Sequence, residues 1–374
     1  MGFLWAILYF CEMMTRILFR TSCWILVLLC GLAACKPTSQ NPSTGSNSDS
    51  TAVAQATPDP TLVELNDRIQ REPNNFQHYV DRAKYYEQHA QFTEALMDLD
   101  RAQAADSNQC TIFLTRGDLY WNRRQNLDAA GQSEMIALAY AQYTKCVTLD
   151  GNNTDCLLKK AGIDIARKQY DIARELINNA LKINEYLPLA YYLRGRMYKE
   201  TGDTTVAYSS YKTAIDVDPT YYDAYIEIGL IYAKGKNDLA KEYYSSAIDI
   251  RPKSVEAYYN KAMYLQETGF RDGKRYQEAF ACYDSILKID PTFFAAYFNK
   301  GFVNLEYLQN YQAGIDEFTK AITAYPAYYQ AYYNRGLCYE SLGLKASAES
   351  DYRTALNVVP TYTDAAKALD RLLK

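Results

Sequence analysis

From residue 76 to residue 362, one pattern recurs along the sequence at intervals of about 34 residues. Most units carry an aromatic and a small residue in a first segment and small residues in a second, although the third has Leu157 at the aromatic position, and the last five units close with a proline. The fifth unit shows the pattern with Tyr225, Gly229, Ala240, Tyr244 and Pro252. Such self-similarity is typical of repeat proteins, in which one unit buries its apolar face only by stacking on the next.

The apolar spacing within each unit predicts two amphipathic helices, because apolar residues recur at i, i+3, i+4 and i+7. The small residue of the first helix lets the pair approach closely, and we expect the aromatic residue three positions later to fill the space beside it. Asp-Pro pairs end one helix and begin the turn to the next. We predict eight repeats, flanked by capping helices at 61–75 and 363–374, at residues 76–109, 110–153, 154–187, 188–221, 222–254, 255–293, 294–328 and 329–362.

Two repeats are longer than the others, with additional residues at about 125–134 and 270–275. Insertions in repeat arrays usually fall in loops, where added length costs little stability. We therefore expect a loop between the helices at both places.

The cysteines of the repeat region form no recognisable metal-binding or disulfide pattern. Five lie beyond residue 60 and none forms a C-x-x-C pair, which argues against a zinc site or a dense disulfide framework. Cys146 and Cys156 lie at small-residue packing positions of adjoining helices. An exported protein could oxidise them, but we expect both to replace alanine as small buried residues.

The repeats resemble the tetratricopeptide repeat family over about residues 76–362. The resemblance implies an all-α fold: a right-handed superhelical solenoid of about eight helical hairpins, whose first helices line a concave groove. In that family, the second, fifth, sixth, ninth, twelfth and thirteenth positions of the first helix usually meet the ligand. The fifth and sixth positions supply the candidate peptide-binding residues Tyr192, Tyr259, Asn260, Phe298, Asn299, Tyr333 and Asn334.

An aromatic residue followed by asparagine recurs in the last three repeats, at 259–260, 298–299 and 333–334. Asparagine both donates and accepts hydrogen bonds, so a row of them could satisfy an extended peptide backbone. The alternative is that asparagine is simply a common choice at this repeat position. Because acidic residues lie nearby, we expect a peptide with apolar and basic side chains; these residues are Glu256, Glu267, Glu306 and Glu340.

The composition argues against nucleic-acid binding and against catalysis. The chain has 40 Lys and Arg against 44 Asp and Glu, a formal charge of −4, whereas nucleic-acid binding requires a concentrated basic face. It has two histidines and no G-x-S-x-G, phosphate-loop or H-E-x-x-H motif. We expect a non-enzymatic protein without a metal or small-molecule cofactor, whose partners are other proteins.

The N-terminal segment resembles the signal of a bacterial lipoprotein. Arg16 and Arg20 precede an apolar run at 25–32, and residues 32–35 read Leu-Ala-Ala-Cys. The resemblance implies cleavage before Cys35, whose acylation would anchor the protein to a lipid bilayer. The predicted signal peptide is 1–34.

Two further features concern the ends of this signal. An apolar run precedes the basic residues, which is unusual for a signal peptide, so we expect translation to start at Met13 or Met14. Residues 35–60 are rich in Ser, Thr, Asn, Gln, Pro and Gly, and we interpret them as a lipidated, disordered linker.

The sequence thus favours a lipid-anchored scaffold or adaptor that assembles envelope proteins. Lys36 after the lipidated cysteine is compatible with sorting to the outer membrane, while a periplasmic or an exterior orientation stays open. One alternative is a structural spacer or stalk without a peptide ligand. Another is a cryptic glycan-binding or hydrolase accessory protein.

Overall fold

The computed structural model describes residues 59–269 and 273–374, apart from the side chain of residue 126. The predicted signal peptide, the start site, Cys35 and most of the linker lie outside the described residues. Over the described ranges the chain forms 18 α-helices and one short 3-10 segment, with no strand. This result confirms the all-α fold class.

The chain divides into two compact units, of which the first ends at Ile183 and the second begins at Asn184. The helices of the first unit are α1 (Pro60–Arg71), α2 (Phe76–Gln88), α3 (Phe92–Ala105), α4 (Cys110–Arg123), α5 (Ala129–Leu149), α6 (Thr154–Ala166) and α7 (Tyr170–Ile183). Those of the second unit are α8 (Pro188–Thr201), α9 (Thr204–Val217), α10 (Tyr222–Lys234), α11 (Leu239–Ile250), α12 (Val255–Thr268), α13 (Gly273–Ile289), α14 (Phe294–Glu306), α15 (Tyr311–Ala324), α16 (Tyr329–Ser341), α17 (Lys345–Val358) and α18 (Thr363–Leu373).

Successive helices pair into hairpins, each of which packs on the next within its unit. The first unit contains α1 and the hairpins α2–α3, α4–α5 and α6–α7. The second contains α8–α9, α10–α11, α12–α13, α14–α15 and α16–α17, followed by α18. We number these hairpins one to eight along the chain. The even-numbered helices from α2 to α16 are therefore the first helices of their hairpins.

The two helices of five hairpins meet where a glycine of the first helix faces an aromatic ring of the second. An added Cβ atom at these glycines would lie only 2.4–2.8 Å from the nearest ring carbon, so only glycine permits the observed approach. The glycine–ring pairs are Gly117–Tyr143, Gly195–Tyr211, Gly229–Tyr244, Gly301–Phe318 and Gly336–Tyr352. All five rings are at most 2% exposed and form the centre of each hairpin.

The expectation that this space is filled by the aromatic residue three positions after the glycine is wrong. In the fourth hairpin that residue, Tyr198, is only partly buried, whereas the ring over Gly195 belongs to Tyr211 of the second helix. In the fifth hairpin Tyr232 donates a hydrogen bond to the hydroxyl of Tyr208 on α9, at 3.2 Å. Tyr232 therefore joins neighbouring hairpins rather than filling the centre of its own.

Some of the basic residues at the seventh position of the first helices connect successive hairpins of one unit. Arg335 binds Asp351 of its own hairpin through two nitrogens at 2.8 Å, and Thr319 of the preceding hairpin at 3.0 Å. Lys300 likewise reaches back to Asp284 at 2.7 Å. Only the fifth hairpin has an apolar residue at this position, and the other seven have Arg82, Arg116, Lys160, Arg194, Lys261, Lys300 and Arg335.

The insertions expected to form loops are partly helical. Residues 124–126 form the 3-10 segment and α5 begins at Ala129, so the second repeat has a longer second helix instead of a long loop. Asp128 caps this helix by accepting the N–H of Gly131 at 2.9 Å. In the sixth repeat α13 begins at Gly273, and residues 270–272 lie outside the described ranges.

A disulfide joins Cys146 of α5 to Cys156 of α6, which links the second hairpin to the third. The two Cα atoms are 6.2 Å apart, a normal separation for a disulfide, and both side chains are fully buried. The expectation that these cysteines only replace alanine is therefore wrong. The turn between α5 and α6 is short, so it brings the end of one helix against the start of the next.

Candidate peptide-binding face

All seven candidate peptide-binding residues lie on first helices of the second unit. We call first-helix face the surface formed by the second, fifth, sixth, ninth, twelfth and thirteenth residues of α8, α10, α12, α14 and α16. Positions are counted from the first residue of each helix, so that residues with the same position number are equivalent in all five hairpins.

An aromatic region lies on the sixth and seventh hairpins and extends from the first-helix face to neighbouring residues. The ring of Phe298 lies 6.4 Å from that of Phe302, and Phe302 lies 6.0 Å from Tyr307. Tyr307 in turn stacks on Tyr276 at 5.1 Å. Tyr259 accepts a hydrogen bond from the amide of the next hairpin's Asn299 at 3.3 Å. Of these rings, Tyr259, Phe298 and Phe302 are partly exposed and Tyr307 is exposed, whereas Tyr276 is buried beneath Tyr307.

The three asparagines of the predicted ladder differ in their surroundings. Asn299 and Asn334 are each only 8% exposed. The Nδ2 of Asn299 donates to the Tyr259 hydroxyl, and that of Asn334 donates to the backbone oxygen of Gln330 at 2.8 Å. Asn260 is half-buried. Two of the three side-chain amides therefore already donate hydrogen bonds within the protein. The assignment of the asparagines to peptide binding stays a prediction.

The two outlying tyrosines of the candidate set pack against other rings. Tyr192 lies 5.8 Å from Tyr211 and 5.5 Å from Tyr221. Burial, reinforced by Glu227, raises the pKa of the Tyr192 phenol well above its ordinary value. Tyr333 contacts Tyr352 in the same manner, at 5.9 Å. Both residues are half-buried at the fifth position of their helices.

Two acidic residues of this face sit in surroundings that oppose their ionisation. Desolvation raises the pKa of Glu256, and Asp223 and Glu227 raise it further. Desolvation also raises the pKa of Glu267. Both side chains remain exposed to solvent, so the cause is the density of protein around them and not enclosure. Within the described residues, neither forms an ion pair, and the same holds for Glu306.

Glu340 is the fourth acidic residue named from the sequence, and its negative charge is compensated by Arg371. Arg371 of α18 donates to it at 2.8 and 3.1 Å, and the hydroxyl of Tyr352 donates at 2.6 Å. The Arg371 guanidinium, as the largest cause, holds the pKa of Glu340 below its usual value. The negative part of the face is therefore centred on Glu256, Glu267 and Glu306.

Sequence reasoning missed two residues that complete the aromatic region. Met263 and Phe302 both occupy the ninth position of a first helix and are partly exposed between the rings. The Sδ of Met263 lies 3.6 Å from the amide nitrogen of Asn299. The repeat position itself was the signal that could have identified both residues.

Comparison with known proteins identifies the repeats. Models of the tetratricopeptide repeat match residues 189–221, 222–254 and 302–359. The chain is 28% identical over 179 residues to tetratricopeptide repeat protein 6 of Homo sapiens, covering 46% of this chain and 32% of the relative. It is 23% identical over 212 residues to the DnaJ homolog subfamily C member 7 homolog of Dictyostelium discoideum, covering 56% and 34%. The chain thus spans about a third of the length of these curated relatives.

A solved structure shows the same fold. The C-terminal part of a TPR repeat-containing protein from Cytophaga hutchinsonii matches with a TM-score of 0.54 at 18% identity, over 68% of this chain and 98% of that one. The matched segments are therefore tetratricopeptide repeats, a class that acts in protein–protein interaction and scaffolding and is generally non-catalytic. Among the described residues, no helix combines the length and apolarity needed to cross a membrane.

Proposed function

We propose that the first-helix face of the second unit binds an extended peptide segment with apolar and basic side chains. The chain then serves as an adaptor that is lipid-anchored through Cys35 in the bacterial envelope, at the outer membrane. Protein–protein interaction is the general activity of tetratricopeptide repeats. The charge preference and the anchored location are specific to this proposal.

The observation that carries the proposal is that partly exposed rings lie beside carboxylates that form no ion pair among the described residues; Glu256 accepts only the hydroxyl of Tyr222, at 3.1 Å. Glu256 and Glu267 flank Tyr259 and Met263 on α12, and Glu306 follows Phe302 on α14. A lysine or arginine side chain has an apolar stem that packs on rings and a charged end that seeks a carboxylate. Such a side chain satisfies both components of this surface at once.

The anchored location is supported by two independent features. The Leu-Ala-Ala-Cys sequence that ends at Cys35 resembles a lipoprotein cleavage site. The disulfide between Cys146 and Cys156 is of a kind that persists in oxidising compartments such as the bacterial periplasm and is rare in the cytosol.

Titration with peptides tests the charge preference. Short extended peptides that combine apolar residues with lysine are expected to bind, and peptides with glutamate in place of lysine are expected to bind more weakly. The double change Glu256→Gln with Glu267→Gln should weaken the lysine peptide roughly five- to thirty-fold, because each partly exposed ion pair contributes about 0.5–1 kcal/mol. Isothermal titration calorimetry at low salt provides the measurement.

A matched control keeps the net charge of the variant but moves the changes elsewhere. Glu242 and Asp249 are exposed on α11, a second helix, so Glu242→Gln with Asp249→Asn should leave the affinity unchanged. Equal weakening by both double variants would indicate a general charge effect. Tighter binding of the glutamate peptide would contradict the proposal.

The same titration has an expected pH dependence. Since the pKa values of Glu256 and Glu267 are raised, both carboxylates take up protons above the ordinary pH range of glutamate. Binding of the lysine peptide should therefore be complete above the raised pKa values and decline as the pH falls through them. In the glutamine double variant this decline should be absent.

A further inference from the structure

One helix of the first-helix face, α12, carries a carboxylate near each of its ends. Glu256 is the second residue of this helix and Glu267 is the thirteenth, and both side chains are exposed. The other first helices of the second unit have at most one acidic residue at these two positions. The pair of carboxylates therefore distinguishes α12 from its neighbours.

The two carboxylates lie on the same side of α12. Glu267 follows Glu256 by 11 residues, which is three helical turns to within about 20°. The rise of about 1.5 Å per residue places their Cα atoms about 16 Å apart. Met263 lies on the same side between them, and Tyr259 lies next to it. We call these four residues the α12 stripe.

The centre of the α12 stripe is apolar and is held by neighbouring side chains. The Sδ of Met263 lies 3.4 Å from the hydroxyl oxygen of Tyr283 and 3.6 Å from the amide nitrogen of Asn299. Asn299 also donates to the hydroxyl of Tyr259 at 3.3 Å. A methionine side chain is flexible by itself, so these contacts order it before a ligand binds. Such an ordered surface lowers the entropy cost of binding.

The two ends of the α12 stripe are available to cationic groups. Glu256 accepts a hydrogen bond from Tyr222 at 3.1 Å, and it forms no ion pair among the described residues. Glu267 forms none in the same part of the chain. Arg251 influences Glu256 only from beyond ion-pairing distance. Lys236 influences Glu267 in the same way.

The length of the α12 stripe selects a spacing in an extended ligand. An extended peptide advances about 3.4 Å per residue, and alternate side chains point to the same side. Side chains four residues apart therefore lie about 14 Å apart on one side, and the flexible stems of two lysines cover the remaining distance. The residue midway between them points to the same side. Lysines three or five residues apart would point to opposite sides.

We propose that the peptide lies along α12 and carries two basic residues, four positions apart, with an apolar residue midway between them. The basic side chains bind Glu256 and Glu267, and the apolar side chain packs on Tyr259 and Met263. This inference rests on the proposed peptide-binding function and adds the direction and the spacing of the ligand. Asn299 then orders the α12 stripe from α14 and does not contact the peptide backbone.

Peptides of identical composition test the spacing. The first probe is a short peptide with blocked ends in which lysine, leucine and lysine alternate with serine. The second contains the same residues with the two lysines adjacent. The alternating peptide should bind about two- to fivefold more tightly in isothermal titration calorimetry at low salt, because only this peptide reaches both carboxylates and one partly exposed ion pair contributes about that factor.

Single variants identify the carboxylates that cause this preference. Glu256→Gln and Glu267→Gln should each remove it, because either change leaves one carboxylate on the α12 stripe. Glu306→Gln is the matched control, since Glu306 has the repeat position of Glu267 but lies on α14. It should leave the preference intact even if both peptides bind more weakly. All three side chains are exposed, so the variants are expected to fold.

The contradicting outcomes can be distinguished from one another. Loss of the preference in Glu306→Gln but not in Glu256→Gln would show that the peptide crosses from α12 to α14, which overturns the inference. Equal binding of the two peptides, with both weakened by Glu256→Gln combined with Glu267→Gln, would overturn the spacing and leave the proposed function standing. Binding of neither peptide would overturn the proposed function and the inference together.

Discussion

Replacing Phe318 with alanine is expected to lower the free energy of unfolding of the second unit by about 3–5 kcal/mol. The ring is fully buried between the two helices of the seventh hairpin and lies against Gly301, Phe298 and their neighbours. Its removal leaves a cavity that cannot close, because Gly301 has no side chain to move into it. Chemical denaturation monitored by circular dichroism provides the measurement.

A control on the same helix separates this effect from helix propensity. Thr323 of α15 is exposed, and Thr323→Ala should change the free energy of unfolding by less than about 0.5 kcal/mol. In repeat arrays stability is a sum over neighbouring units, so the Phe318 variant is also expected to lose cooperativity. A loss for Phe318→Ala no larger than for Thr323→Ala would contradict the packing role assigned to the ring.

Reduction of the disulfide between Cys146 and Cys156 is expected to destabilise the first unit by about 3 kcal/mol. The covalent link closes a loop with a sequence separation of 10 and restricts the unfolded chain. It also joins the second hairpin to the third, so its loss weakens the interface between them. The thermal midpoint of the first unit should fall on addition of dithiothreitol.

The double change Cys146→Ala with Cys156→Ala is the control for this prediction. Both side chains are buried at positions that suit a small residue, so the variant should fold and its midpoint should not respond to dithiothreitol. Thiol titration of the denatured wild type should leave this pair unreactive until it is reduced. A wild-type midpoint that does not respond to reductant would contradict the disulfide and weaken the argument for export.

The helical architecture was predictable because each helix carries its apolar period and the repeats reinforce one another. The aromatic ring that packs on the glycine of the first helix was not predictable in the same way, because two aromatic residues of a hairpin can satisfy the repeat spacing. Tyr198 lies three residues after Gly195, and Tyr211 lies on the second helix of the same hairpin. Only the packing shows that the ring of Tyr211 covers Gly195. Sequence periodicity defines which face is buried but not which side chain fills a given space.

The expectation of a loop in the second repeat failed for a local reason. Insertions in repeat arrays usually fall in loops, but here Asp128 caps the backbone of α5, and Ala129 and Ala130 favour helix formation. The disulfide was likewise unpredictable from spacing, because it depends on how α5 meets α6. Both outcomes are set by contacts that a repeat pattern does not contain.

The candidate site was also predictable only in part. Repeat positions were sufficient to place Tyr259, Phe298 and the acidic residues on the first helices. They could not show that Asn299 is almost fully buried and bonded to Tyr259, or that Arg371 compensates Glu340. Burial and pairing arise between hairpins, so they become visible only when the stacked helices are in place.

Site-specific photo-crosslinking in cells that express the full chain tests whether the first-helix face is the peptide-binding site. A benzophenone amino acid would replace either Phe302 on the first-helix face or Thr323 on α15. We expect Phe302→benzoylphenylalanine to capture a protein through a segment rich in lysine and apolar residues, and we expect Glu256→Gln with Glu267→Gln to abolish this capture. Thr323→benzoylphenylalanine should not capture it. Capture of the same proteins at both positions, or capture that persists without the two carboxylates, would contradict the assignment of this face as the binding site.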